Sequence, residues 1–303
     1  MRVSVVVTGL VCLCALVVGT AAPPVQDEDV RGAFLTSRPK EKPASSGETA
    51  RPPRKRSKQT TEVKSSVKPP EKDGVTPVNP DMTSKPAGSS KPVNAPRLGL
   101  GVTLFARDSN GLAVRANPDR VFRKGDRIRV LLETNADGYL YIFNTTDDGP
   151  PVMIYPHAEL DEGGNYLQAH VPFEIPMSAA TAEHLRWFAF DDVAGTEHLF
   201  FVFTREPLKG IPIEDDLLAF CRESGTSCPL RPNTEVWAGV SKELQEPLKI
   251  DRAEQYGKAQ TEVEQQATTR GLGLSKDDPQ PTVVMMASSN RPTLVATLDL
   301  IHK

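Results

Sequence analysis

The sequence lacks the features that define several classes of protein. Glycine does not recur at every third position, which excludes a collagen. Only one long uncharged apolar run occurs, at the N-terminus, which excludes a membrane protein with several spanning helices. The sequence also has no Gly-x-Ser-x-Gly nucleophile elbow and no glycine-rich phosphate-binding loop. Two common signatures of enzymes are therefore missing.

The single long apolar run is organised like an export signal. A short positive start, with Arg2, precedes the uncharged apolar stretch 3–18, and small residues follow it through Ala22. These are the three parts of a secretory signal peptide, and cleavage after Ala21 fits best. The run is shorter than the roughly 20 residues of a membrane span. We therefore expect 1–21 to be a cleaved signal and the protein to be periplasmic or extracellular, with an uncleaved N-terminal membrane anchor as the alternative.

Cysteine is scarce, with four residues in 303. Two of the four lie in the predicted signal, and the others are Cys221 and Cys228. An even pair in an exported chain predicts a disulfide, which here closes a short loop. The spacing differs from a Cys-x-x-Cys redox motif, and no histidine lies close enough in sequence to indicate a zinc site.

The net charge of −3 is an average over two unlike parts of the chain. Residues 23–97 hold 13 of the 27 prolines and a net charge of +6, with Phe34 as their only aromatic residue. Residues 98–303 carry a net charge of −10 and recurring apolar segments. A proline-rich segment with few apolar residues cannot bury enough surface to offset its ordering entropy. We therefore expect 22–97 to be a disordered basic linker and 98–303 to be one folded domain.

The linker contains a dense run of positive charge. Five cations and no acidic residue occur close together: Arg51, Arg54, Lys55, Arg56 and Lys58. Such a run can bind an anionic surface, or it can keep the chain extended as a self-repelling spacer, which is the interpretation we favour. No aromatic residue lies among the charges, so specific nucleic-acid binding is not expected.

Short apolar or alternating segments separated by turn residues fill most of the domain. In 126–134, Ile128, Val130 and Leu132 alternate with mostly polar residues, which predicts a strand with one buried face. Further strands are predicted at 98–105, 139–145, 152–155, 172–175, 185–190, 198–204, 282–287 and 294–301. Many short strands with Gly and Pro turns indicate a mainly β fold, an antiparallel β-sandwich that is Ig-like or barrel-like.

The stretch 213–280 has a helical pattern instead. An apolar stripe that ends before a proline predicts a helix over 234–246. Asp251 and the glutamate three residues later resemble a capping box, which predicts a second helix from the next residue to a stop at Gly271. We therefore expect a helical insertion before the C-terminal hairpin of the sandwich.

Five segments of the domain occur in an order that is found in a known family. They are 121–126, 137–141, 154–156, 173–176 and 195–199. In this order they resemble the bacterial domain of unknown function 4384 (DUF4384), and 295–302 is similar to its final strand. The resemblance covers 98–210 and 282–303. The sequence departs from the family at His157, where asparagine is common, and in the long insertion.

The resemblance implies a small β-sandwich of exported or signalling bacterial proteins, fused in some of them to kinase or caspase-like domains. No catalytic residues are established for the family, so none is transferred to this chain. The matching segments contain turn and strand residues: Gly125, Asp126, Gly138, Tyr139, Tyr141, Pro156, Pro176 and Gly195. We expect both Gly125 and Gly138 at turns that need a positive φ, and both tyrosines to be core or edge aromatics with a polar tip. The two prolines are expected to end strands.

No group of residues in the sequence predicts catalysis. His157, Glu159 and His170 lack the spacing of a metal site, and we expect neither a metal nor a cofactor. The acidic pairs 147–148, 161–162, 191–192 and 215–216 lack the spacing of an EF-hand loop, although they leave calcium or glycan binding as an alternative. The sequence thus predicts an exported, non-enzymatic binding or scaffold module whose partner is an unknown protein or envelope polymer. An unrecognised hydrolase is the second alternative, and it would require both histidines and a carboxylate to converge.

Overall fold

The structure is a computed structural model, and it describes part of the chain. The described residues are 29–41, 96–160, 163–224, 228 and 230–303. The predicted signal, the basic run of the linker and the acidic pair 161–162 lie outside them. Among the described residues, no helix is long and apolar enough to cross a membrane.

The described residues form twelve β-strands and four α-helices. The strands are β1 (Gly99–Arg107), β2 (Ala113–Arg115), β3 (Arg127–Thr134), β4 (Gly138–Thr146), β5 (Val152–Tyr155), β6 (Tyr166–Leu167), β7 (Phe173–Ile175), β8 (Phe188–Ala189), β9 (Gly195–Thr204), β10 (Leu248–Arg252), β11 (Val283–Ala287) and β12 (Thr293–His302). The helices are α1 (Val30–Thr36), α2 (Glu214–Ser224), α3 (Thr234–Leu244) and α4 (Glu262–Arg270).

Two antiparallel sheets make up the domain. The first sheet has the order β10-β11-β1-β3-β7, with β2 added to β1 and β8 added to β3. The second sheet has the order β12-β9-β4-β5, with β6 added to β4. Because the inward-facing residues of both sheets form one apolar core, the predicted β-sandwich with a helical insertion is confirmed.

The core follows from the alternation of apolar residues along the strands. Leu100, Val102 and Leu104 of β1 point inward and are almost completely buried, and Phe201 and Phe203 of β9 meet them from the other sheet. Side chains two residues apart lie on the same face of a strand, so each strand contributes one continuous apolar row.

The outer face of the second sheet is covered by α2 and α3. Tyr141 and Phe143 of β4 point outward, and both are fully buried. Trp237 of α3 packs edge-on against Phe143, with ring centroids 5.8 Å apart, and against Phe200 at 5.1 Å. The predicted apolar face of this helix is therefore the face that docks on the sheet.

The strand predicted to have one exposed face is buried on both. The polar side chains of β3 include Arg129 and Glu133, which are 5% and 3% exposed. Residues from distant parts of the chain cover them. Arg38 pairs with Glu133. Arg129 pairs with Glu174, which also accepts a hydrogen bond from Gln260. The prediction of a solvent-facing polar row was wrong because buried charge partners satisfy these side chains.

The prediction that 22–97 forms one disordered linker does not hold for 29–41. Here Asp29 caps α1 by accepting a hydrogen bond from the backbone N–H of Gly32 at 2.8 Å. Phe34 is fully buried against Val284 and Met286 on the outer face of the first sheet. One aromatic side chain and its neighbours thus give this short segment a docking site that its composition did not reveal.

The predicted second helix begins too early in the chain. Residues Leu248–Arg252 form strand β10, which pairs with β11 along its whole length. The capping box lies later in the chain. The Thr261 hydroxyl accepts a hydrogen bond from the backbone N–H of Glu264, and the Glu264 carboxylate accepts one from the backbone N–H of Thr261. The predicted stop is confirmed, since Gly271 has a left-handed φ of 63°.

The predicted turn glycines have different roles. Gly125 has a positive φ of 84°, as predicted. Gly138 is not among the positive-φ glycines and begins β4, so that prediction was wrong. A Cβ at Gly138 would lie 2.4 Å from the carbonyl oxygen of Thr204, and close packing of β4 on β9 explains the glycine. Pro156 and Pro176 directly follow the ends of β5 and β7, each after a cis peptide bond.

Candidate binding site

The inward-facing rows of three neighbouring strands change from apolar to polar at one end of the sandwich. Core residues Leu199 of β9 and Leu300 of β12 are each followed, two positions further toward this end, by Glu197 and His302. On β4, Asn144 follows the core residue Ile142 by two positions and pairs with Leu199, and Thr146 pairs with Glu197. Because β4, β9 and β12 are adjacent, these polar side chains come together.

A cleft opens between the two sheets at this end. Its cavity volume is about 250 Å³. It is lined by Ile128, Asn144, Thr146, Ile154, Phe188, Ala189, Phe190, Asp191, Glu197, Leu199, Leu300 and His302. Most walls are aliphatic or aromatic, while the polar groups are few and converge, which is the usual composition of a small-molecule site.

Hydrogen bonds within the cleft fix the carboxylate of Glu197. The side-chain amide of Asn144 donates to Glu197 Oε2 at 2.7 Å, and the Thr146 hydroxyl lies 3.1 and 3.0 Å from the two carboxylate oxygens. These donors come from the neighbouring strand β4, so the carboxylate is oriented before any ligand arrives. About a fifth of the Glu197 side chain remains exposed to solvent, at 21%.

In the part of the chain that the structure describes, two side chains of the cleft have buried polar atoms without hydrogen bonds. These atoms are the two ring nitrogens of His302 and the amide oxygen of Asn144. His302 is 3% exposed, and its Nε2 lies 3.3 Å from Glu197 Oε1 without hydrogen-bonding alignment. A buried polar atom that lacks a partner costs about 1–3 kcal/mol. These atoms therefore offer hydrogen bonds to a molecule that enters the cleft.

The backbone holds His302 firmly in this position. Strand β12 pairs with β9 over ten residues, from Thr293 opposite Thr204 to His302 opposite Gly195. On the other side, the Phe122 N–H donates to the Ile301 carbonyl at 2.8 Å and the Phe122 carbonyl accepts from the Lys303 N–H at 3.0 Å. The imidazole is thus aimed at the cleft by hydrogen bonds on both edges of its strand.

A second polar cluster lies on the outer face of the first sheet. Hydrogen bonds join Ser37 Oγ to His170 Nε2 at 2.8 Å and His170 Nδ1 to Glu133 Oε1 at 2.7 Å. The Arg38 guanidinium donates to both oxygens of Glu133, at 2.7 and 2.6 Å. His170 has a positive φ of 59°, a conformation that costs a non-glycine residue energy and is maintained by its surroundings.

The charges of this second cluster are compensated. Burial raises the pKa of Glu133, but hydrogen bonds from His170 and Arg38 outweigh it, so the pKa lies below its ordinary value. The remaining guanidinium donors of Arg38 reach the carbonyl oxygens of Ser275, Asp278 and Pro279 at 3.0 to 3.1 Å. The arrangement holds the segment 29–41 to the domain.

The structure places the predicted site residues outside the lining of the cleft. Cys221 and Cys228 form the predicted disulfide at the end of α2. Tyr141 is fully buried, and its hydroxyl accepts from the Leu208 N–H at 2.9 Å; burial raises its pKa. Asp126 braces the turn before β3 by accepting from the Arg123 N–H at 3.1 Å.

The spacing of His157, Glu159 and His170 in the sequence is not that of a metal site. Within the described ranges, which include His157, Glu159 and His170, no group of three or more histidine, cysteine, aspartate or glutamate side chains is arranged to hold a metal ion. In the acidic pairs, Asp192 binds Lys124 at 2.9 Å, and Asp147 Oδ1 accepts from the Thr196 N–H at the same distance.

Sequence reasoning did not identify the residues of the cleft as a site. Glu197 and His302 fall in segments that carry the family resemblance, and Asn144 falls in an apparent glycosylation motif. The available signal was a polar residue two positions beyond an apolar row in each of three strands. That signal becomes a site only when the order of the strands is known.

The comparisons agree with part of the sequence interpretation. Residues 121–207 match the family model described as "Domain of unknown function (DUF4384)", so the resemblance is confirmed for this segment. The segment spans β3 to β9 and supplies most of the cleft, whereas β1, β11 and β12 lie outside it. Neither the search of curated proteins nor that of solved structures gave a match.

Proposed function

We propose that the protein is an exported, non-enzymatic binding module that holds its ligand in the cleft between the two sheets. The observation that carries this proposal is His302, a buried imidazole that lines the cleft and whose ring nitrogens form no hydrogen bond with any described residue. An apolar residue would suit a purely structural core better at this position, because an unsatisfied polar group destabilises the fold. Export rests on the signal pattern of residues 1–21.

The shape of the cleft supports binding of a small molecule or a single side chain. Its volume of about 250 Å³ is close to the lower end of ligand pockets. The carboxylate of Glu197 is already oriented by Asn144 and Thr146, so binding requires little reorganisation of the site. A partner protein would therefore insert one side chain, and a free ligand would fill the space by itself.

A fragment screen by methyl NMR tests this function. Fragments that enter the cleft should shift the methyl resonances of Ile128, Ile154, Leu199 and Leu300, which line it. Ala189→Trp introduces a bulky side chain at an exposed position of the lining and should abolish these shifts. Val193→Trp, at an exposed position outside the lining, is the matched control and should leave them unchanged. Identical shifts in both variants, or none in the unmodified protein, would contradict the proposal.

A second candidate function, hydrolysis at Ser37, is favoured by the order of contacts from Ser37 through His170 to Glu133. The same order of serine, histidine and carboxylate occurs in serine hydrolases. We rank it second because the Ser37 hydroxyl donates to the Phe34 carbonyl at 2.6 Å, and because Arg38 offsets the carboxylate charge that would stabilise an imidazolium.

Labelling with a fluorophosphonate probe tests this second candidate. A hydrolase would be labelled at Ser37, and Ser37→Ala would remove the label. Folded protein that stays unlabelled at high probe concentration would eliminate Ser37 as an activated nucleophile.

A further inference from the structure

The side chains that line the cleft favour a ligand of positive charge. Among the described residues that line it, Glu197 and Asp191 are acidic and none is lysine or arginine. The carboxylate of Glu197 lies beside the buried His302, and Asp191 is exposed to solvent. A carboxylate in an apolar, partly desolvated cleft attracts a cation more strongly than one in water and repels an anion.

The hydrogen-bonding capacity that remains in the cleft is mainly that of an acceptor. One amide N–H of Asn144 and the hydroxyl of Thr146 are already directed at Glu197. The amide oxygen of Asn144 accepts no hydrogen bond from the described residues, and the carboxylate oxygens have further lone pairs. The ring nitrogens of His302 add further hydrogen-bonding capacity. A ligand head that carries several N–H groups fits this set best.

The walls of the cleft suit an apolar body attached to that head. Ile154, Leu199 and Leu300 form aliphatic surfaces, and Phe188 and Phe190 add aromatic rings. The ring of Phe190 also packs on the imidazole of His302, with centroids 5.1 Å apart. Aromatic faces near a cation contribute a further attraction.

We infer that the cleft binds an ammonium or guanidinium group carried on a short apolar body. The inference rests on the proposed binding function and specifies its ligand. The head hydrogen-bonds to Glu197 and to the amide oxygen of Asn144, while the body fills the space between Phe188 and Leu199. Such a group occurs in a free small amine and in the lysine or arginine side chain of a peptide.

Titration of the full-length chain with matched probes tests the charge preference. Phenethylamine, phenethyl alcohol and hydrocinnamate have similar apolar bodies and carry a cationic, a neutral and an anionic head. We expect phenethylamine to bind at least about tenfold more tightly than the alcohol, as charge-assisted hydrogen bonds predict, and hydrocinnamate not to bind. Capped arginine amide distinguishes the sources, because stronger binding than phenethylamine indicates a peptide side chain and weaker binding indicates a free amine.

Substitutions test whether the cationic head of the ligand binds in the cleft. Glu197→Gln should weaken phenethylamine binding about tenfold and leave phenethyl alcohol almost unaffected. Glu254→Gln makes the same chemical change at an exposed position outside the lining and should alter neither. Asp191→Asn keeps the hydrogen bond accepted from the Val193 N–H and should weaken amine binding about threefold, which preserves the test if Glu197→Gln does not fold.

The outcomes separate this inference from the function on which it rests. If the alcohol or hydrocinnamate binds in the cleft as tightly as the amine, the ligand class is wrong and the binding function stands. If none of the four probes binds, the ligand class is also wrong, and the fragment screen decides the function independently. Equal amine affinity in Glu197→Gln and the unmodified protein would likewise overturn the inference.

Discussion

Arg38 and Glu133 form a buried bidentate ion pair across 95 positions of sequence, with hydrogen bonds of 2.7 and 2.6 Å. Their side chains are 0% and 3% exposed. Glu133 belongs to the sandwich, whereas Arg38 follows a short helix in a segment whose composition is that of a linker. The pair makes residues 29–41 an integral part of the folded domain.

Removal of the guanidinium should therefore destabilise the domain strongly. Arg38→Ala leaves a buried carboxylate without its main counter-charge, and we expect a loss of about 3–5 kcal/mol in the free energy of unfolding. Arg252→Ala breaks an exposed pair with Asp119 and should cost less than about 1 kcal/mol. Urea unfolding of both variants measures the difference, and equal losses would show that the buried pair has no special role.

The apolar contact of the same segment makes a separate contribution. Phe34→Ala removes a fully buried ring from Val284 and Met286, and we expect a loss of about 3 kcal/mol or more. Phe220→Ala, at a partly exposed position of α2, should cost much less. Thermal unfolding followed by circular dichroism compares them. A Phe34→Ala variant as stable as the unmodified chain would mean that the segment does not dock.

The lowered pKa of Glu133 makes part of the stability dependent on pH. A carboxyl group whose pKa is lower in the folded than in the unfolded state stabilises the fold above its unfolded pKa, which is about 4.3 for glutamate. This contribution is lost as the pH falls from there through the folded pKa. The stability difference between the unmodified protein and Glu133→Gln should therefore shrink on acidification. Urea titrations across this range measure it, and a difference independent of pH would refute the assignment.

The disulfide between Cys221 and Cys228 should add modest stability. It closes a loop with a sequence separation of 7, for which loop entropy predicts about 2–3 kcal/mol. A variant with both cysteines changed to serine should lose this amount in urea unfolding, with the sandwich otherwise intact. Reactive free thiols in the native, unreduced protein would show instead that the bridge is not formed.

The sequence predicted the elements whose pattern is local. The alternation of Ile128, Val130 and Leu132 identified β3, and the apolar stripe of α3 identified the docking face of that helix. The capping pattern at Asp251 misled, because pairing with β11 outweighed a local helix signal and the real cap is Thr261. Pairing across the chain decides between such local alternatives.

The candidate site and the docked segment depended on contacts that no local pattern contains. Glu197 and His302 are 105 positions apart in the numbering, and they meet because β9 and β12 are adjacent and antiparallel. Arg38 and Phe34 lie in a stretch rich in proline and charge, so composition alone indicated a linker. The partners of Arg38 and Phe34 can be identified only once the order of the strands in the sheet is known.

The central claim is that a ligand occupies the cleft and contacts His302. The ring-nitrogen NMR resonances of His302 report this contact directly, since neither nitrogen has a hydrogen-bond partner among the described residues. During a titration with phenethylamine, these resonances should move along a saturable curve whose midpoint equals that of the overall binding. Those of His198, which pairs with Asp299 at 2.8 Å outside the cleft lining, should stay in place. Saturable binding that leaves the His302 nitrogens unchanged would contradict the account.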